Sequence, residues 1–465
     1  MLRKHVELEI DPQNPFALDC LARKHTAEVL TRIIESATQP FVISIEAPWG
    51  WGKTTFIRMW KAFLESQGHL CFHFNAWETD FVDDPLIAFV GEMQSVIDEA
   101  KTKIKDYKTI EKHWEKVQSL GAGVLRQSLP LALQVATRGV ISKENIEDLI
   151  ESIASGKTGF AAERLKGYKE EKKAIIKFRK NLEDVAKLII EHANYKSPLI
   201  FFIDELDRCR PDYAIALLER IKHLFSVNGF VFVLSIDRGQ LINSVRALYG
   251  LGMETEGYLR RFIDLAYSLP QPKTEHFCTF LSERFNWREV FEKRAKGKDH
   301  FRQLIETFID LANIFKFSLR VQEQCFTELN LVIRATPLDN RIYPPLLSFL
   351  VALKAHEPNI YKKLILNQVD IEEVSAILKE TEEGKKFLID WPGYVIEAYL
   401  IDSLSEEKKQ LQIDTFQKIL SMGKDQPGGD RAYHILKVLD GMRIERESGA
   451  LKYLISRLEF VEKFM

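Results

Sequence analysis

The segment at residues 41–63 limits what this chain can fold into more than any other. A continuous apolar run at residues 41–45 is followed by Gly52-Lys53-Thr54, and the sequence then has helical character through Phe63. A buried strand, a glycine turn with Lys-Thr and a helix are the parts of a P-loop, whose backbone N–H groups hold phosphates. We predict a phosphate-binding loop formed by Pro48, Trp49, Gly50, Trp51, Gly52, Lys53, Thr54 and Thr55.

Two side chains of this loop have predicted roles. Lys53 is expected to reach the β- and γ-phosphates of a nucleotide and to act in catalysis, and the Thr54 hydroxyl is expected to bind Mg²⁺. Ala47 stands where the pattern has its first glycine, and a single methyl group is expected to be tolerated there. The alternative is a glycine turn without a ligand.

A later apolar run, at residues 199–203, ends in two carboxylates, Asp204 and Glu205. In P-loop proteins the acid at the end of such a strand holds the magnesium ion, which is the role predicted for Asp204. Glu205 is the predicted general base for an attacking water, and this favours hydrolysis over transfer to a metabolite. The alternative is an ordinary solvated strand end.

Three more positions are candidates for sensing the γ-phosphate. Asp237 and Ser235 follow the next apolar run, at residues 230–236, although Asp237 is equally well placed to cap the following helix. Arg320 is predicted to contact the phosphates and to couple the C-terminal half to the nucleotide. The alternative is a surface arginine at a helix start, paired with Glu323.

Strand-length apolar runs alternate with helical segments up to residue 272, and helical patterns continue to the end. Such alternation predicts an α/β fold, a parallel-sheet P-loop core, with a helical insertion and an all-helical C-terminal region. The predicted boundaries are 1–101 and 195–272 for the core, 102–194 for the insertion and 273–465 for the C-terminal domain. A heptad pattern at residues 168–189 predicts a short coiled-coil seam in the insertion.

Composition excludes several classes of protein. The 65 Lys and Arg against 67 Asp and Glu rule out bulk attraction to nucleic acid or acidic lipid. The five cysteines contain no CxxC pair, which argues against a disulfide framework or a zinc ribbon. The most apolar long stretch, residues 120–141, is interrupted by charged and amide side chains, so no membrane-spanning segment and a cytoplasmic location are expected.

Three motifs together resemble those of the KAP family of P-loop NTPases, over about residues 16–272. They are Trp-Gly-Trp-Gly-Lys-Thr at 49–54, Phe-Asn-Ala-Trp at 74–77 and Phe-Ile-Asp-Glu-Leu-Asp-Arg-Cys at 202–209. Residues 258–263 resemble the family's closing motif and residues 21–27 its opening helix. The resemblance implies that the chain binds ATP and magnesium and acts in signalling or in conflict, such as phage exclusion in bacteria.

The chain departs from the family pattern at a few positions. Ala47 replaces a glycine, Glu205 replaces an aspartate, and Arg260-Arg261 stand where the family has Glu-Lys. Many members carry paired transmembrane helices between the two nucleotide motifs, whereas this chain has the interrupted stretch at residues 120–141 there.

Two hypotheses about function follow. The first is an ATP-hydrolysing molecular switch, with a protein partner or a second copy of the chain. The second is a nucleic-acid-directed motor or effector that uses the basic residues at 164–180. A nucleotide-binding scaffold with little turnover is a further alternative.

Overall fold

The computed structural model of the protein describes residues 9–82, 85–101, 107–124, 158–222, 226–294, 296–366, 368, 371–445 and 449–462. These residues form two compact units, divided between Pro270 and Gln271. The first unit is an α/β structure and the second is built from helices. The predicted fold class, a parallel-sheet P-loop core with a helical C-terminal region, is confirmed.

Five parallel strands form the sheet of the first unit, in the order β2-β3-β4-β1-β5. Their bounds are β1 Phe41–Glu46, β2 His69–Asn75, β3 Lys196–Asp204, β4 Phe230–Ile236 and β5 Leu265–Ser268. Nearly all residues of β1 and β4 are buried, and so is β3 from residue 198 onward. Strands covered on both faces need apolar side chains on both, which explains their continuous apolar runs.

Helices connect the strands and cover the two faces of the sheet. In the first unit they are α1 Lys24–Glu35, α2 Lys53–Ser66, α3 Pro85–Ala100, α4 Tyr107–Val124, α5 Thr158–Ala193, α6 Pro211–Ile221, α7 Arg238–Tyr249 and α8 Thr255–Leu259. Phe202 of β3 belongs to the apolar cluster of α1 and α2, whereas its neighbour Phe201 belongs to the cluster of α3 to α7. The sheet is therefore the middle layer of three.

The carboxyl ends of three strands carry the polar residues that the sequence singled out. Asp204 of β3 pairs with Ser235 of β4, which in turn pairs with Ile45 of β1. Asn75, the last residue of β2, also pairs with Asp204. Because the strands are parallel, these ends lie along one edge of the sheet, directly beside the loop that follows β1.

The two described helices of the insertion pack against each other and against the sheet. Four heptad residues of α5 share one buried cluster with apolar residues of α4, whereas Ile175 is only partly buried and lies outside it; the members are Ile110, Trp114, Val117, Phe178, Leu182, Val185 and Ile189. The heptad seam thus belongs to the core of the first unit. Tyr168, the first residue of that pattern, has a side chain outside the described part.

The apolar stretch at residues 120–141 lies mostly outside the described residues. Within the residues that the structure does describe, no helix has both the length and the apolar character that a membrane crossing requires. The five cysteines all lie among the described residues and have free thiols.

The second unit is a bundle of helices arranged around α13. Its helices are α9 Thr274–Arg284, α10 Trp287–Glu292, α11 Gly297–Ile314, α12 Leu319–Ala335, α13 Pro344–His356, α14 Pro358–Ile365, α15 Ile371–Lys379, α16 Glu382–Leu388, α17 Trp391–Asp402, α18 Glu406–Ser421, α19 Gly429–Glu445 and α20 Ala450–Glu462. Residues 344–353 of α13 are all buried, and α11, α12 and α17 pack against this helix. A helix that is apolar on every side needs such central placement.

Candidate functional site

The loop between β1 and α2 has the backbone of a phosphate cradle. Gly50 and Gly52 have φ angles of 78° and 77°, in the left-handed region that glycine enters without steric cost. Helix α2 then begins at Lys53, so its first N–H groups lie at the loop. A helix N-terminus preceded by left-handed turns presents several N–H groups to one anion.

Lys53 lies beneath this loop, and only 9% of its surface is exposed. Its ammonium group donates to the carbonyl oxygens of Ala47 at 2.6 Å and Pro48 at 3.3 Å. Burial lowers the pKa of Lys53, and the carboxylates of Asp207, Asp237 and Asp204 act in the opposite direction. An ammonium group has three N–H donors, so it can give another to a phosphate oxygen.

Asp204 ends β3 in a site that is almost closed to solvent, with 1% of its surface exposed. Its Oδ1 accepts the N–H of Glu205 at 2.9 Å, whereas its Oδ2 is buried without a hydrogen-bond partner. Burial raises the pKa of Asp204, while the hydroxyls of Ser235 and Thr54 face the carboxylate and lower it. A buried carboxylate oxygen beside two hydroxyls fits a hard cation with oxygen ligands.

Trp49, at the tip of the loop, is tied to two acids from neighbouring strand ends. Its backbone N–H donates to Asp237 Oδ2 at 3.1 Å, and its indole N–H donates to Asp207 Oδ2. The other oxygen of Asp237 accepts the N–H of Gln240 at 3.2 Å and caps α7. Asp237 therefore serves as the helix cap and also holds the loop, which the sequence did not indicate.

Glu205 lies directly after the buried strand end, with its backbone at φ 60°. Its carboxylate pairs with Arg208 at 2.6 Å. Burial raises the pKa of Glu205; Arg208 lowers it, Asp204 raises it, and the Asn75 side chain lowers it by a hydrogen bond. Left-handed backbone is uncommon for residues other than glycine and is often found at functional sites.

A buried arginine that no sequence pattern indicated donates hydrogen bonds to the backbone of the loop. Arg23, just before α1, is 3% exposed. Its guanidinium donates to the carbonyls of Trp51 at 2.9 Å, Gly52 at 3.2 Å and Pro270 at 3.5 Å. The only signal in the sequence was the resemblance of residues 21–27 to an opening helix, which assigned no role to this side chain.

A second charged group was also missed. Arg238, the first residue of α7, donates to Glu46 Oε1 at 2.8 Å and pairs with Glu256. Glu46 ends β1 and accepts the Ser44 hydroxyl at 2.6 Å. The network joins the strand that precedes the loop to α7 and α8.

The two tryptophans of the loop differ in their surroundings. Trp51 packs against the apolar cluster of α1 and α2, whereas Trp49 is 46% exposed. Trp77, 52% exposed, lies near Arg208, whose guanidinium carbon is 6.0 Å from the ring centre. Exposed aromatic rings beside a phosphate cradle can stack on a planar base.

The predicted site residues fall into two groups. One group comes together at one edge of the sheet and consists of the loop residues together with Asp204, Glu205, Ser235 and Asp237. Arg320 lies exposed in the first turn of α12, in the second unit, and Glu323 pairs with Arg284 at 2.9 Å. Arg260 and Arg261 are exposed just after α8. The phosphate contact predicted for Arg320 stays a prediction.

Comparison with known families identifies one match. The model of the KAP family P-loop domain matches residues 23–337, which is more than half of the chain. The matched segment begins at Arg23 and contains every residue of the site described above. A search of curated proteins gave no match.

Proposed function

The chain belongs to the KAP family of P-loop domains and is a nucleotide-binding protein, and on that basis we propose that it hydrolyses ATP and uses the reaction as a molecular switch. The observation that supports this most is the meeting of Thr54 with Asp204. These residues are far apart in the sequence, yet the Thr54 hydroxyl lowers the pKa of Asp204, whose Oδ2 is buried without a hydrogen-bond partner.

In this proposal the loop and Lys53 hold the triphosphate. N–H groups of the loop and of the first turn of α2 bind the β- and γ-phosphates, and the Lys53 ammonium neutralises their charge. Thr54 and Asp204 would hold Mg²⁺. When bound, that ion polarises phosphoryl oxygens and neutralises charge that develops on them.

Glu205 is the proposed general base. Its raised pKa brings the carboxylate nearer to the range in which it can take a proton from water at neutral pH. Arg208 keeps the carboxylate oriented through their ion pair. The proton of the attacking water passes to a Glu205 carboxylate oxygen as the water attacks the γ-phosphorus, and the β–γ bridging oxygen leaves with ADP.

Asp237 is the proposed link between the nucleotide and the rest of the unit. It binds the loop tip through Trp49 and caps α7 through Gln240. A phosphate that draws the Trp49 N–H toward itself weakens the hydrogen bond between Trp49 and Asp237. The hydrogen bond from Gln240 that caps α7 is kept. Nucleotide binding thereby frees Asp237 Oδ2 beside the N-terminus of α7.

Lys53→Ala tests nucleotide binding. Charge-assisted contacts are worth about 1.5–3 kcal/mol each, so ATP affinity is expected to fall roughly tenfold to a hundredfold. The measurement is titration of a fluorescent ATP analogue into the full-length variant. Lys61→Ala is the matched control, because Lys61 lies on the same helix and pairs with Glu65 at 2.7 Å. Equal affinities of both variants would exclude the loop as a phosphate cradle.

Glu205→Gln tests hydrolysis separately. The amide keeps the shape of the side chain and cannot accept the proton, so turnover is expected to fall by about 10²–10⁴ while ATP still binds. Asp207→Asn is the comparison, since Asp207 holds the indole of Trp49 and is expected to alter affinity first. Wild-type turnover by Glu205→Gln would show that another acid is the base.

Other parts of the initial hypotheses remain open to direct tests. The basic residues at 164–180 lie on α5, and half of their side chains are outside the described part. A nucleic-acid-directed motor predicts that DNA or RNA raises the rate of ATP hydrolysis. A switch with a protein partner or a second copy predicts a change in particle size on adding ATP.

Arg320 is tested by the protection that ATP gives the C-terminal half against protease. Loss of this protection in Arg320→Ala, with protection retained in Arg320→Lys, would indicate that Arg320 couples that half to the nucleotide. The proposed chemistry does not depend on phage exclusion, the role that the resemblance implies.

A further inference from the structure

The helical unit contains a cleft with a volume of about 640 Å³. Its walls come from the start of α11, the segment that leads into α13, and two further helices, α17 and α19. This volume lies in the range of about 300–1,000 Å³ typical of small-molecule sites. All of its lining residues lie between positions 296 and 442, so the cleft is separate from the P-loop.

The charge of the lining is strongly positive although the whole chain carries a net charge of −2. Among the described residues that line the cleft, four are cations, namely Lys296, Arg302, Arg341 and Lys437, and one is a carboxylate, Asp299. Asp299 lies 3.9 Å from Arg302, and both side chains are at least 66% exposed. An exposed pair of that length neutralises little, so the cleft retains its attraction for anions.

His300, which also lines the cleft, responds to the same charges. Burial lowers the pKa of His300, and the positive charges of Lys296, Arg341 and Arg294 lower it further against the opposing effect of Asp299. Two of the lining cations, Lys296 and Arg341, therefore act on one side chain of the cleft.

One wall of the cleft is aromatic. Trp391, the first residue of α17, is 48% exposed. Tyr343 and Tyr399 line the cleft beside it and meet edge to face, with their ring centres 5.6 Å apart. Inorganic anions make no use of such a wall, whereas a planar base stacks on aromatic rings.

We propose that this cleft binds a second nucleotide-class ligand, a small phosphorylated compound that carries a planar ring. The cations bind the phosphate, with the guanidinium group of Arg302 able to form two parallel hydrogen bonds, and the aromatic wall holds the ring. Arg341, Tyr343, Trp391 and Lys437 lie beyond residue 337, where the family match ends. Lys296 and Arg302 lie inside the matched segment, so the site combines residues from both sides of its end, and it goes beyond the proposed ATP hydrolysis.

The test uses full-length Lys53→Ala protein, so that binding at the P-loop is weakened, and mant-labelled AMP as the probe. The variant Arg302→Glu/Lys437→Glu is expected to bind the probe at least tenfold more weakly by fluorescence anisotropy. Lys362→Glu/Lys418→Glu is the matched control, because it makes the same change of charge at exposed positions of the same unit outside the cleft. Its affinity is expected to change less than twofold.

Three further results would sharpen or overturn the proposal. Trp391→Ala is expected to weaken binding by about fivefold to a hundredfold, the range for loss of one stacked base. Unlabelled AMP should displace the probe at least tenfold better than inorganic phosphate or adenosine alone. The proposal is overturned if the Lys53→Ala protein does not bind the probe, if both double variants weaken it equally, or if phosphate competes as well as AMP. A ten-residue oligothymidylate that binds far more tightly than AMP would instead identify a nucleic-acid groove. Each result leaves the proposed ATP hydrolysis untouched, since that reaction is measured with Lys53 intact.

Discussion

Two buried arginines, one in each unit, both donate hydrogen bonds to backbone carbonyls but have different roles. Arg23 donates to carbonyl oxygens of Trp51, Gly52 and Pro270 in the α/β unit. In the helical unit, Arg294 donates to carbonyls of Ile333 and Thr336 at 2.8 and 2.5 Å, and of Pro337 and Asn340 at 2.9 and 3.5 Å. Both side chains are less than a tenth exposed.

The difference lies in what the carbonyls belong to. Those bound by Arg294 are at the C-terminal end of α12 and in the turn after it, where helix carbonyls lack partners within the helix. Those bound by Arg23 include two in the P-loop, whose N–H groups are the proposed phosphate ligands. A buried arginine therefore fixes a fold in one unit and shapes a binding loop in the other, and only the surroundings distinguish the two.

The largest expected effect is loss of stability in Arg294→Ala. Removing a buried cation that serves four carbonyls is expected to cost about 3–5 kcal/mol. Hydrogen exchange measured on peptides from each unit should show lost protection in the helical unit. ATP affinity should stay at the wild-type value provided that the α/β unit keeps its protection. Equal loss in both units would mean that they do not unfold independently.

Lowering the pH is expected to reduce the stability of the α/β unit more than that of the helical unit. Burial, together with Lys61 and Arg58, lowers the pKa of His73 in β2 to about 4, and its Nε2 is buried without a partner. The neutral ring favours folding above pH 6.5, and this contribution is lost as the pH falls from about 6.5 to 4. The expected loss for the α/β unit is about 2 kcal/mol at pH 5.

The measurement is thermal unfolding between pH 7 and 5, with His73→Gln expected to flatten the profile. His276→Gln in the helical unit is the control, since His276 is exposed. Identical profiles for His73→Gln and wild type would show that another group causes the acid response.

Arg23→Lys should separate positioning from stability. Lysine keeps the charge but cannot reach three carbonyls with a rigid fork, so the loop loses part of its support. ATP affinity is expected to fall about tenfold, or ~1.4 kcal/mol. Arg294→Lys should lower stability without changing ATP affinity. If both variants lose stability and neither loses affinity, Arg23 is a structural residue like Arg294.

The smallest expected effect is the loss of stability when alanine replaces either of two glycines with left-handed backbone. Gly50 lies in the loop at φ 78° and Gly428 lies before α19 at φ 82°. Alanine at either position is expected to cost about 1 kcal/mol in stability. Only Gly50→Ala should also weaken ATP binding, which calorimetric titration of both variants would measure. Weaker binding by Gly428→Ala would mean that strain in one unit reaches the other.

The sequence predicted those features that depend on neighbours along the chain. Continuous apolar runs located the strands, and the spacing of Gly52, Lys53 and Asp204 located the loop and the acid beside it. These signals are local because a buried parallel strand must be apolar throughout and a phosphate loop must join a strand to a helix.

Contacts between distant segments could not be predicted in this way. Arg23 reaches a carbonyl 247 residues further along the chain, and Trp49 donates to an acid 188 residues away. Periodicity shows which face of an element is buried, but not which polar group will lie opposite a given side chain. Asp237 illustrates the limit, because the sequence indicated a helix cap or a γ-phosphate sensor, whereas the side chain caps α7 and also accepts the N–H of Trp49 in the loop.

The strand order has a consequence for the protein while it is being made. Both sheet neighbours of β1, namely β4 and β5, are encoded after residue 229, and Asp204 follows Lys53 by 151 residues. At about 5–20 residues per second, roughly 8–30 s pass between synthesis of the loop and synthesis of its acid. A nascent chain that ends before Phe230 has the whole P-loop sequence and no strand to pair with β1. Nucleotide binding is therefore acquired late in translation.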